Sequence, residues 1–112
     1  MTPPDAVVAE FGESPYSFFH VLRDGHPNPN LDRRRMVAVW SDEFARAPWW
    51  SEWGPSAELA LVTDNGEYVF EVDGGTLLWS PRDDLYEVYG LALPDFLRRV
   101  RSLDTEIIPD DL

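Results

Sequence analysis

Two histidines, His20 and His26, with Asp24 and Asp32 close by in sequence, are the residues best suited to hold a metal ion. Their spacing matches none of the patterns that tetrahedral zinc selects, and the chain has no cysteine to supply a thiolate. His20 falls in an aromatic stretch where a hydrogen-bonded structural histidine is expected, so no metal or cofactor site is read here. Nucleophilic chemistry finds no better footing. None of the seven serines stands in a Gly-x-Ser-x-Gly turn, and Ser14 reads as a helix cap. Carboxylates are adjacent at Asp42/Glu43, Asp83/Asp84 and Asp110/Asp111. Glycosidase chemistry needs two of them facing each other across a cleft, whereas neighbours on an acidic surface are solvated. Gly74-Gly75 joins two strands instead of opening a helix, so it cannot cradle a phosphate. The expectation is a chain without catalytic residues and not an enzyme.

Recognition chemistry is better represented. Three of the five tryptophans, Trp49, Trp50 and Trp53, lie between Pro48 and Pro55. Such rings either plug a small core or stand at a partner surface as anchors, with Glu52 as part of a polar rim. A second candidate surface is acidic: Glu67 and Glu71 share one strand face, and Asp64 and Asp73 occupy the turns at its ends. That pattern is ordinary polar-out alternation on a solvated sheet face, or a negative patch on a rigid one. The whole chain carries 21 acidic residues against nine basic ones, all arginine, for a net charge of −12. This charge disfavours direct binding to nucleic acid or anionic membrane, and it favours a basic protein as partner.

The elements that must position these residues can be read from periodicity. At 112 residues the chain fits a single domain, 1–112, with an acidic and frayed tail at 104–112. Pro3 at a first helical position, with Thr2 as cap and Gly12 as stop, predicts a first helix. Tyr16, Phe19 and Leu22 follow helical spacing, predicting a second helix up to Gly25. Residues 26–34 contain Pro27 and Pro29 and are expected to be irregular. Met36 to Trp40 reads as a short buried strand, and Asp42 to Ala47 as one helical turn. From Glu58 the period changes to two. Leu59 to Thr63 and Glu67 to Val72 flank Asn65-Gly66, the preferred pair of a type I′ hairpin. Thr76 to Trp79 and Tyr86 to Gly90 add further strands. Pro94 and Asp95 open a final helix whose apolar stripe is Phe96, Leu97, Val100 and Leu103. The expected fold is α+β, an antiparallel β-meander of about four strands with one face packed against N-terminal helices and one C-terminal helix.

The second half resembles the SUKH superfamily, whose bacterial members are mostly immunity proteins that neutralise polymorphic toxins. The resemblance rests on residues 59–66 (Leu-Ala-Leu-Val-Thr-Asp-Asn-Gly), 68–75 (Tyr-Val-Phe-Glu-Val-Asp-Gly-Gly), 77–79 (Leu-Leu-Trp) and 91–100 (Leu-Ala-Leu-Pro-Asp-Phe-Leu-Arg-Arg-Val). It implies a protein that binds and occludes, with no catalytic residues to carry over. The expected function is an acidic, cytoplasmic protein-binding module, an immunity-type inhibitor that blocks a basic toxin such as a nuclease. Trp49, Trp50, Trp53, Glu52, Asp64, Glu67, Glu71 and Asp73 are the expected contact residues. Two other readings share the same charge: a nucleic-acid mimic that blocks a DNA-binding protein, and a regulatory or scaffold module without a toxin. Nothing in the start of the chain or its apolar runs predicts a leader or a membrane span.

Overall fold

The computed structural model describes residues 3–16, 18–103, 108, 109 and 112. Five strands form one antiparallel sheet in the order β1-β2-β3-β4-β5: Phe19–Val21, Glu58–Thr63, Tyr68–Val72, Gly75–Ser80 and Leu85–Tyr89. Four helices accompany it: α1 (Pro3–Phe11), α2 (Arg33–Ala45), the short α3 (Trp50–Trp53) and α4 (Leu93–Leu103). The fold is α+β, as the alternation of periods predicts.

Both faces of the sheet are covered. On one face, Val69, Leu61 and Leu78 pack with Val7 of α1 and with Phe96, Leu97 and Val100 of α4. On the other, Leu59, Phe70, Leu77 and Trp79 pack with Met36 and Phe44 of α2 and with Trp49. The expected single covered face is thereby corrected to two. The reason lies in the strands themselves: Gly75 to Trp79 are all buried, and such a continuous run requires cover on each side.

Two segments adopt a different element from the one their spacing suggests. Within the stretch predicted as a helix up to Gly25, Phe19–Val21 form β1 instead, with Phe19 opposite Thr63 and Val21 opposite Leu61. Short apolar runs fit either period, and the aromatic and β-branched residues here favour extended backbone once the edge of β2 offers a ladder. Conversely, Met36 to Trp40 is helical. Its start was legible: Asn28 caps a 3₁₀ turn at Pro29–Leu31, and the Asp32 side chain accepts the Arg34 N–H at 3.2 Å. Asp32 is a helix cap. In α2, Met36, Trp40 and Phe44 recur every four residues and form the stripe facing the sheet, while Val37 and Val39 point outward.

The turns also refine the expectation. At the first hairpin only Gly66 takes positive φ, +80°, and its N–H bonds to the Thr63 carbonyl at 3.1 Å. Asn65 stays on the negative side, so the turn is not type I′ but the form in which a left-handed glycine closes a longer loop. The expected cap Thr2 lies outside the described residues. Of the tail, 104–107, 110 and 111 also lie outside them. Ile108 and Leu112 pack against the α1/α4 side of the core, and the Tyr89 hydroxyl donates to the Pro109 carbonyl at 3.1 Å. Leu103, expected on the buried stripe of α4, is 40% exposed. A fork of hydrogen bonds from Arg98 to both Glu10 oxygens, at 2.5 and 2.6 Å, ties α4 to α1.

Gly75 and Gly90 provide a paired test. A Cβ on Gly75 would collide with the Tyr89 carbonyl oxygen, whereas one on Gly90 meets nothing within 4 Å. Gly75→Ala is expected to lower stability by about 1–3 kcal/mol in chemical denaturation, through separation of β4 from β5. Gly90→Ala is expected to stay within about 0.5 kcal/mol of the parent.

Candidate functional site

The tryptophan segment is chiefly core. Trp49 is fully buried, with its ring centroid 4.7 Å from Phe70 and 5.5 Å from Trp79. It cannot serve as a surface anchor, which corrects its expected role. Trp50 and Trp53 are half-buried and pack against the same cluster. Gly54 is required there, because a Cβ would run into the Trp50 ring. Glu52 is exposed on α3. The physical reason for this inward packing is the area at stake: large rings have most to gain from burial, and α2 and β3 leave a space of their size.

The expected acidic sheet face is likewise not a solvated plane. Val69, between Glu67 and Glu71 on that face, is completely buried beneath α1 and α4. The carboxylates therefore stand at separate ends. Asp64 pairs with His20, Oδ1 to Nε2 at 2.7 Å, and Ser14 Oγ lies 3.4 Å from His20 Nδ1. This is the hydrogen-bonded structural histidine that the sequence suggests, although it sits on a strand. Glu67 accepts the Thr63 hydroxyl at 3.2 Å. At the other end Glu71 is directly opposite Glu58, and Asp73 donates its N–H to Ser56 Oγ at 3.1 Å. Burial first, and the facing Glu58 carboxylate second, push the Glu71 carboxyl above the usual glutamate range. Among the described residues no group of three His, Asp or Glu side chains is placed to hold a metal ion.

What the structure assembles instead is a cleft around a tryptophan that the sequence reading passed over. Trp40, 38% exposed, stands on α2 beside the row Val62–Tyr68–Trp79–Tyr86, whose members pair directly across four strands. Because paired residues point to the same side, these rings form a floor. Over its middle lies Phe44, edge-on to Tyr68 at 5.5 Å and to Trp79 at 5.9 Å. Between Trp40 and the turn at 81–84 remains a cavity of about 320 Å³ floored by Tyr68 and Trp79. A second groove, about 330 Å³, runs along the other side of Trp40 past Val39 and Val62. Glu43 from α2, Arg46 just past its end and Asp84 from the turn border the first cavity. Asp84 takes positive φ, 53°, and has no ion-pair or hydrogen-bonding side-chain partner among the described residues. Glu43 is paired with Arg46 at 2.5 Å. The Tyr68 hydroxyl is pushed up by burial and stays protonated at neutral pH. Rings and carboxylates at a concave surface suit recognition of a cation or an amphipathic side chain. The signal that locates Trp40 is the four-residue recurrence of Met36, Trp40 and Phe44 behind the Asp32 cap.

Two outcomes check this partition. Trp49→Ala is expected to cost about 3–5 kcal/mol in equilibrium unfolding, and Trp40→Ala less than about 1.5 kcal/mol. Glu71 carries a pH dependence whose sign is fixed by its raised carboxyl. The folded chain holds that proton more tightly than the unfolded chain, so the contribution to stability is present below the ordinary glutamate range and is lost as pH rises through the folded value. Glu71→Gln should therefore be more stable than the parent near pH 7, by about 0.2–1 kcal/mol, and indistinguishable from it near pH 4. Thermal melts across that range measure the difference.

Comparison of the chain with protein-family models, curated proteins and solved structures finds no match in any of the three.

Proposed function

We propose that this chain is an acidic protein-binding module of the immunity type, which occludes a basic toxin such as a nuclease in the bacterial cytoplasm. The observation that carries the reading is the half-exposed Trp40 at a ring-floored cleft, bordered by Glu43 and Asp84, in a chain of net charge −12. Tryptophan is the side chain most enriched at binding hot spots, and a partner that buries it gains area at little rotamer cost. Val37 and Val39, 36% and 56% exposed on the same helix, extend the apolar surface around it. The acidic field supplies the other half of the argument, because long-range attraction brings a cationic partner in quickly. The resemblance of residues 57–103 to SUKH immunity proteins supports the same reading, and the contact centre moves from Trp49, Trp50 and Trp53 to Trp40. No helix among the described residues is long and apolar enough to cross a membrane.

The test is protection. Co-expression of the chain with the toxin-like product of a neighbouring reading frame should rescue growth of bacterial cells. The purified pair should associate with a rate that falls about tenfold or more between low and high salt. Trp40→Ala should leave that rate within about threefold while raising the dissociation rate by about tenfold or more. Absence of both protection and complex formation removes the immunity reading. Competition by DNA for the same partner, without protection, would favour a nucleic-acid mimic.

A further inference from the structure

We infer that the cleft between Trp40 and Asp84 is a receptor for one arginine side chain of the partner, the guanidinium stacking on the rings and pairing with Asp84. The inference rests on the protein-binding reading and specifies what enters the site. Three independent features converge on a planar cation. The first is the lining. Trp40 forms one wall, and Tyr68 and Trp79 form the floor, their centroids 5.9 Å apart and their planes inclined by 35°. Aromatic faces carry negative quadrupole potential and attract a cation that has shed part of its water. Guanidinium is less strongly hydrated than ammonium, and it stacks, so it suits a slot between rings better than lysine does.

The second feature is the pair of carboxylates at the mouth. Glu43 is already paired with Arg46, at 2.5 Å, and the Arg46 guanidinium itself lines the cavity, so Asp84 is the carboxylate left for an incoming ion. Asp84, on the opposite element, has no ion pair among the described residues, although the chain's other arginine near it, Arg82, is only two positions away in sequence. An incoming guanidinium can take Asp84 with both oxygens, a geometry that a point-charge ammonium cannot match. The third feature is size. A cavity of about 320 Å³ admits one long side chain and excludes a helix, so the ligand is a projecting residue of a folded or extended partner. A second copy of this chain is a poor occupant, since two molecules of net charge −12 repel each other.

The experiment uses the full chain and small probes. In ¹H–¹⁵N spectra, N-acetyl-arginine methylamide should shift the Trp40 indole N–H signal, which is assigned by its disappearance in Trp40→Phe. The expected dissociation constant is about 1–10 mM, and the lysine analogue should bind several-fold more weakly. The glutamate analogue should leave the signal in place. Asp84→Asn should weaken the arginine probe by about fivefold or more, and asparagine tolerates the left-handed backbone at this position, so the turn is preserved. Arg46→Gln, which releases Glu43, should tighten binding. The inference is overturned if the leucine analogue shifts Trp40 as strongly as arginine does, or if Asp84→Asn changes nothing. Either of those results leaves the protein-binding reading intact with an apolar anchor at Trp40. Conversely, arginine binding without any toxin protection would retain the receptor and remove the immunity reading.

Discussion

The docking of α2 onto the second face of the sheet is the contact on which the rest depends. It is made by rings. Phe44 stands edge-on against Tyr68, Phe70 and Trp79 at 5.2–5.9 Å, and Trp49 closes the cluster from the following segment. Edge-to-face pairs of this kind add about 0.5–1.5 kcal/mol each beyond the area they bury, and they fix orientation as well as distance. Once Phe44 is seated, Trp40 one turn earlier has to lie at the border of the sheet, half covered. The exposure of Trp40 is thus a geometrical consequence of burying its neighbours. The same cluster explains why the tryptophan segment turns inward, since it completes a core that α2 alone, with two buried side chains, leaves open.

Burial of that cluster has a polar cost. The indole N–H groups of Trp49 and Trp79 are sealed from solvent without a hydrogen-bond partner among the described residues. Each such group offsets about 1–3 kcal/mol of what its ring contributes. The opposite face is satisfied differently, with Thr76 Oγ1 donating to the Leu91 carbonyl at 2.9 Å and Tyr89 reaching Pro109. Each layer also has polar ties: the Arg33 side chain of α2 donates to the Leu59 carbonyl on the ring-rich side, and the Arg98–Glu10 fork joins α4 to α1 on the other.

Charge placement on α2 runs against the helix dipole. Arg33, Arg34 and Arg35 occupy its first turn, where anions are favoured, and Asp42 and Glu43 lie towards its end, where cations are favoured. An isolated helix would lose a few tenths of a kcal/mol at each position. The tertiary structure offsets this through the Asp32 cap, ion pairs of Arg33 and Arg34 with Asp24 at 3.6 and 3.8 Å, and the Arg33 side chain donating to the Leu59 carbonyl at 2.9 Å. One result is that Glu43 stands at the mouth of the Trp40 cleft, where its charge is paired with that of Arg46 at the helix C-cap.

Local chemistry alone determined the four-strand meander from Glu58 to Tyr89, the first and last helices, the left-handed glycines at the hairpins and the acidic character of the surface. Period-two alternation, proline and glycine at helix ends, and side-chain charge act over a few residues and need no distant partner. Residues 16–22 and 36–40 were different: both are short apolar runs compatible with either period, and what decided them was the free edge of β2 for one and the ring-lined face of Phe70 and Trp79 for the other. The candidate site belongs to this second class. Trp40, Tyr68, Trp79 and Asp84 come from four separate segments, and no spacing in the chain records that they meet. Burial likewise separated Trp49 from Trp40, two identical side chains nine positions apart, because only the assembled sheet defines which of them has room beneath it.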